Sequence, residues 1–134
     1  MYRFKKEERL CNLKLIDKLF TNGSSFLVYP FRISWLIEGS NQEVPAQILI
    51  SVPKKRFKRA VDRNLIKRRI REIYRLNKSE HLIPFLSKES TTLLLGITYI
   101  GNEISDYSFL EKKFKDALNR LKKLYPGSDA EKDF

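Results

Sequence analysis

Cysteine is almost missing from this chain. Cys11 stands alone, so no disulfide can close within it, and a reducing compartment is compatible with that. Histidine also occurs once, as His81, which leaves no histidine pair for acid–base cleavage. No long apolar run is present. The longest stretches, "FLVYPF" and "LLLGITYI", are far too short to span a bilayer, and "MYRFKKEERL" has charge with no apolar segment behind it, unlike a secretory signal. These absences lead us to expect a soluble, cytoplasmic protein.

Acidic residues are scarce as well, 16 against 27 Lys and Arg, for a formal net charge of +11. The imbalance is local. Residues 54–75, "KKRFKRAVDRNLIKRRIREIYR", hold 11 cations and only Asp62 and Glu72 as acids; the rest of the chain carries 16 cations and 14 acids. Like charges crowded on one segment repel, so a polyanion is the expected partner.

At 134 residues with 42% hydrophobic content, one domain is the simplest organisation. Neither an internal repeat nor a dividing linker is present. We expect a single domain over residues 1–126 and a disordered tail over 127–134. Leu10, Leu13, Ile16, Leu19 and Phe20 recur at helical spacing, and Gly23 is placed to end that helix in the left-handed conformation. Phe26–Ile37 reads as a strand with Leu27, Tyr29, Phe31, Ile33 and Trp35 on one face and Val28, Pro30, Arg32 and Ser34 on the other. Pro30 favours an edge or a bulge there. Residues 46–52 read as a second strand, and the two suggest a hairpin. A long helix follows over about Ala60–Leu76, then a short helical or irregular stretch, a buried strand over 92–100 and a last helix over 106–125. Ser108 and Glu111 are a possible capping box for the last helix, and Pro126 and Gly127 its stop. The fold class is therefore α+β: a small, mainly antiparallel sheet packed with three helices.

On the long helix, about 100° per residue counted from Val61 puts Arg63, Lys67, Arg71 and Arg75 at about 200°, 240°, 280° and 320°, with Asn64 and Arg68 beside them. Val61, Leu65, Ile66, Ile70, Ile73 and Leu76 form the opposite, core-facing half. Arg69 falls inside that apolar arc, with Glu72 as its nearest partner. A merely solvated face would have acids four residues from the cations, and this ridge has none. Membrane binding would need exposed bulky apolar side chains, and a DNA recognition helix would need a short helix and turn before it. A rigid row of cations fits the phosphate backbone of a structured RNA best.

Residues 58–72, "KRAVDRNLIKRRIRE", resemble the signature of the bacterial ribonuclease P protein subunit, an R-N-x-x-K-R-x-x-R helix behind a Lys-rich strand end. Arg63, Asn64, Lys67, Arg68 and Arg71 match it position for position, and Lys54, Lys55, Lys58 and Arg59 stand at its basic positions. "RL" near the start and Phe20 before Gly23 extend the likeness over about residues 9–123. The resemblance implies a ribonuclease P protein-like sandwich, with a left-handed crossover around the long helix.

It also implies a protein that binds a catalytic RNA and the 5′ leader of precursor tRNA, while Mg²⁺ held through the RNA performs the hydrolysis. RNA-binding residues would be Lys54, Lys55, Lys58, Arg59, Arg63, Asn64, Lys67, Arg68, Arg71 and Arg75. Phe20, Phe31, Ile16 and Ser34 would stand at the leader cleft, Ile16 and Ser34 where the family has aromatics.

No catalytic or metal-ligating residue, membrane or obligate protein partner is expected. Asp62 and Glu72 lie about 15 Å apart along one helix and cannot share an ion. The alternatives are another structured-RNA binder such as a ribosome-associated factor, a stand-alone nuclease or, more distantly, a membrane-surface module.

Overall fold

The computed structural model describes residues 8–39, 44–86 and 91–125. In chain order the elements are α1 (Leu13–Asn22), β1 (Ser24–Val28), β2 (Phe31–Gly39), β3 (Ala46–Ser51), α2 (Ala60–His81), a 3-10 turn at Ile83–Phe85, β4 (Thr91–Tyr99) and α3 (Tyr107–Leu124). The expected α+β class holds. The tail and the Pro126–Gly127 stop lie outside the described residues.

The strand order is β1-β2-β4-β3, which corrects the expected hairpin between β2 and β3. β1 and β2 form the hairpin, across the two residues Tyr29 and Pro30, whose peptide bond is cis. β4 then lies between β2, its antiparallel partner, and β3, its parallel one. Two parallel neighbours need a crossover connection, and α2 supplies it. The periodicity of "AQILIS" gave the strand but held no information about its partner.

The two-residue turn also switches the alternation. Val28 pairs with Phe31 and Phe26 with Ile33, so Phe26 and Val28 share a face with Phe31, Ile33 and Trp35. Leu27 and Tyr29, expected on that face, are exposed.

One layer of core lies between this face and the α2/α3 pair. It contains Ile66, Ile70, Ile73 and Tyr74 of α2 and Leu110, Phe114, Ala117, Leu118 and Leu121 of α3. Val61 and Leu76 are exposed and not core residues, because the buried arc of α2 centres on Ile66, Ile70, Ile73 and Asn77. The opposite face carries α1 on a smaller cluster of Leu10, Leu19 and Leu94, flanked by Leu15, Ile16, Leu36 and Leu49.

Leu13 is exposed; the helix begins there because Asn12 caps it, its Oδ1 accepting from the Lys14 and Leu15 amides at 2.9 and 3.2 Å. Gly23 does not take the left-handed form: its φ is −76°. A Cβ there would stand 2.3 Å from the Leu19 carbonyl oxygen and 2.8 Å from that of Trp35, so close approach is what requires glycine. Asp106 occupies the cap position of α3, and Glu111 instead accepts from Asn77 Nδ2 at 3.1 Å, so the Ser108–Glu111 box is not formed.

Candidate nucleic-acid interface

The 11 cations of residues 54–75 divide into two groups. Five are tied to the protein. Arg56 Nη1 donates to Asn102 Oδ1 at 2.7 Å, and Arg59 lies 3.9 Å from the Asp62 carboxylate. Arg63 Nη1 donates to the carbonyls of Phe57 and Lys58 at 2.8 and 2.9 Å. Arg69 Nη1 donates to the Ser105 carbonyl at 2.7 Å, and Arg75 is ion-paired with Glu72. That pairing gives Arg69 a different role from the expected Glu72 contact: it fastens α2 to the loop before α3. The Arg75 hydrogen bond holds the Glu72 carboxyl below its ordinary value.

Six cations remain. Lys54, Lys55, Lys58, Lys67, Arg68 and Arg71 make no side-chain hydrogen bond or ion pair with another described residue. Lys54, Lys55 and Lys58 are exposed on the loop that leaves β3; Asn64 and Arg68 are exposed on α2, with Lys67 and Arg71 half-buried beside them. The arrangement is a rigid helix and a tethered loop presenting uncompensated positive charge in one region, which suits phosphate contacts.

The α1 side of the sheet forms a second surface. Lateral neighbours there are Ser25, Ser34, Gly96 and Leu49 in one row and Leu27, Arg32, Thr98 and Ser51 in the next. Phe20, 51% exposed, lies over the first row: a Cβ on Gly96 would stand 3.3 Å from its ring. The second row is more open, with Leu27 and Arg32 exposed, and it ends at Ser51, three residues before Lys54.

Ile16 is half-buried and Ser34 buried on this side. Phe31 is not on it. Its ring is fully buried in the other layer, edge-on to Tyr99 and Phe114 at centroid distances of 6.2 and 6.0 Å. A base cannot stack on it there. Arg32 and Leu27 are the exposed side chains that the expected cleft list lacked; the placement of Arg32 beside Ser34 on one strand face was the available signal.

Among the described residues no three His, Cys, Asp or Glu side chains stand together as a metal site. None of their helices is long and apolar enough to cross a membrane.

A family model described as Ribonuclease P matches residues 4–122. A ribonuclease P protein component of Porphyromonas gingivalis is 35% identical over 124 residues, covering 92% of this chain and 89% of the relative. One of Dictyoglomus thermophilum is 33% identical over 121 residues, covering 90% of each. The solved ribonuclease P protein of Thermotoga maritima superposes with a TM-score of 0.66 at 24% identity, covering 84% of this chain and 96% of that one. The Staphylococcus aureus protein gives 0.63 at 20%, covering 84% and 94%. These two structures agree with the fold.

Proposed function

Because this chain belongs to the ribonuclease P protein family, we propose that its six unpartnered cations seat the catalytic RNA while the α1-side floor receives the 5′ leader of precursor tRNA. The chain is the protein component of an endoribonuclease that works with an RNA subunit and takes part in precursor tRNA processing.

The observation that carries the RNA-seating assignment is the division of the basic segment. Five cations are engaged by the protein's own groups, three of them (Arg56, Arg63 and Arg69) tying the loop or α2 to another segment, and the six without a partner among the described residues are exposed or half-buried. The leader reading rests on Phe20 and the open row Leu27–Arg32–Thr98–Ser51, which offers one aromatic face and one cation to a single strand.

In our reading Mg²⁺ is held by the RNA and supplies the hydrolytic chemistry, while this chain's residues bind and orient.

The test is cleavage of precursor tRNA at low Mg²⁺ with RNA subunit alone, protein alone and both. Cleavage at the mature 5′ end by the mixture only is expected. Cleavage by protein alone would overturn the non-catalytic role, and no effect of added protein would overturn the subunit reading.

A further inference from the structure

One cation of the basic helix meets a part of the chain far from the basic segment. Residues Glu8–Leu10 lie along the outer edge of β3: Arg9 forms a parallel bridge with Ile48, and the Leu10 amide donates to the Ile48 carbonyl at 2.8 Å. The ladder goes no further. In a strand, residues two apart present their main-chain groups to the same edge. Ile50 is next on that edge, and none of its main-chain hydrogen bonds reaches the Leu10–Cys11 segment.

Where the segment leaves the strand, a cavity of about 160 Å³ opens, lined by Arg9, Leu10, Cys11, Ile48–Ile50 and Arg71. This is several times the roughly 30 Å³ that one water occupies in the liquid.

The approach of Arg9 to Arg71 is built in. Glu8 is buried and ion-paired with the buried Lys78, two turns further along α2 than Arg71. That pair pins the segment to α2, and the bridge to Ile48 pins it to β3. Arg71 has no hydrogen bond or ion pair with another described residue. Arg9 and Arg71 line the cavity together, and a guanidinium with no acceptor among the described residues, as at Arg71, suits a planar-forked or tetrahedral oxyanion.

We propose that this cavity is a phosphate pocket: it takes one phosphodiester of the bound RNA between Arg9 and Arg71. The proposal rests on the RNA-binding reading above and adds the N-terminal segment to the interface.

Cys11 is a reporter at the rim, since it is exposed, lines the cavity and is the only thiol. Its alkylation by iodoacetamide, a neutral reagent, can be followed by mass spectrometry in free protein and in protein saturated with the catalytic RNA. Saturation is checked by RNA mobility on the same samples. Comparing the ratio of bound to free rates removes the direct influence of each arginine on thiol reactivity. We expect at least tenfold protection in the parent protein and less than twofold in saturated Arg9→Gln and Arg71→Gln. Protection unchanged in both variants, or equal reactivity in bound and free parent protein, would overturn the pocket while leaving RNA binding intact. Failure of the RNA to bind at all, seen in its mobility, would instead overturn the reading on which the pocket depends.

Discussion

The Arg63 guanidinium grips the carbonyl oxygens of Phe57 and Lys58, at 2.8 and 2.9 Å, from the second turn of α2. The residue that opens the R-N-x-x-K-R-x-x-R pattern thus holds the shape of the loop carrying Lys54, Lys55 and Lys58. Arg63→Ala should cost about 1.5–3 kcal/mol of stability, the range for hydrogen bonds to a charged group. Its effect on RNA binding should exceed that of one lost phosphate contact, because the loop lysines lose their placement together. Urea unfolding and the slope of log affinity against log salt measure both. A slope reduced by only one contact, with unchanged stability, would make Arg63 a direct phosphate ligand.

The six unpartnered cations set the salt dependence. If each neutralises one phosphate, a fourfold rise in salt should weaken RNA binding roughly a thousandfold. Arg68→Ala, an exposed change, should lower the slope by about 0.7–0.9 and leave stability within about 0.5 kcal/mol. A nearly flat salt response would remove the electrostatic basis of the interface.

Phe31→Ala should behave as a core change. With its ring against Tyr99 and Phe114, the expected loss is about 3–5 kcal/mol in denaturant unfolding. Phe20→Ala, on the exposed side, should instead weaken binding of leader-containing precursor relative to mature tRNA, by about 1–3 kcal/mol if one base stacks on it. Equal effects of Phe20→Ala on both RNAs would move the leader elsewhere.

Charge placed on α2 separates its two faces. Ile70→Asp puts a carboxylate among fully buried side chains and should abolish folding, as read by circular dichroism. Val61→Asp, at a position 65% exposed, should leave the protein folded. The opposite ranking would mean that the buried arc is misplaced.

Tyr74 gives the fold an alkaline limit. Burial, and secondarily the Glu8 charge, raise its phenol far above the ordinary value of 10.0. A raised folded value means stability is fully present below about pH 10, the unfolded value, and falls as pH rises above it. Tyr74→Phe should flatten the loss of stability above pH 10, measured by urea midpoints across the alkaline range. An unchanged slope would assign the alkaline loss to other groups.

The long basic helix and the last helix were legible because burial of one face enforces a period, and β4 because an unbroken apolar run marks a strand buried on both faces. The cationic face was legible as charge, but its division was not: Arg63, Arg69 and Arg75 look alike in sequence, and only the carbonyls of Phe57 and Ser105 and the carboxylate of Glu72 distinguish them. Leu27 and Tyr29 were read onto the Phe31 face because a two-residue turn at Tyr29–Pro30 switches strand parity, which a continuous alternating pattern conceals; Phe31 itself was assigned to the cleft by the resemblance alone. The Glu8–Lys78 pair joins residues 70 apart in sequence, and nothing in local spacing announces it.

The place of β4 in the sheet governs when this protein can fold during synthesis. β3 has β4 as its strand partner, and β2 relies on β4 along one whole edge, yet β4 is translated after the basic helix. Until residues 91–99 leave the ribosome, the nascent chain has only the β1–β2 hairpin of this sheet, marginal by itself in water, while α2 and its cations have already emerged. Completion of the fold therefore waits on contacts distant in sequence, whose loop-closure cost slows them. During that interval the most basic part of the chain is exposed in an environment rich in RNA.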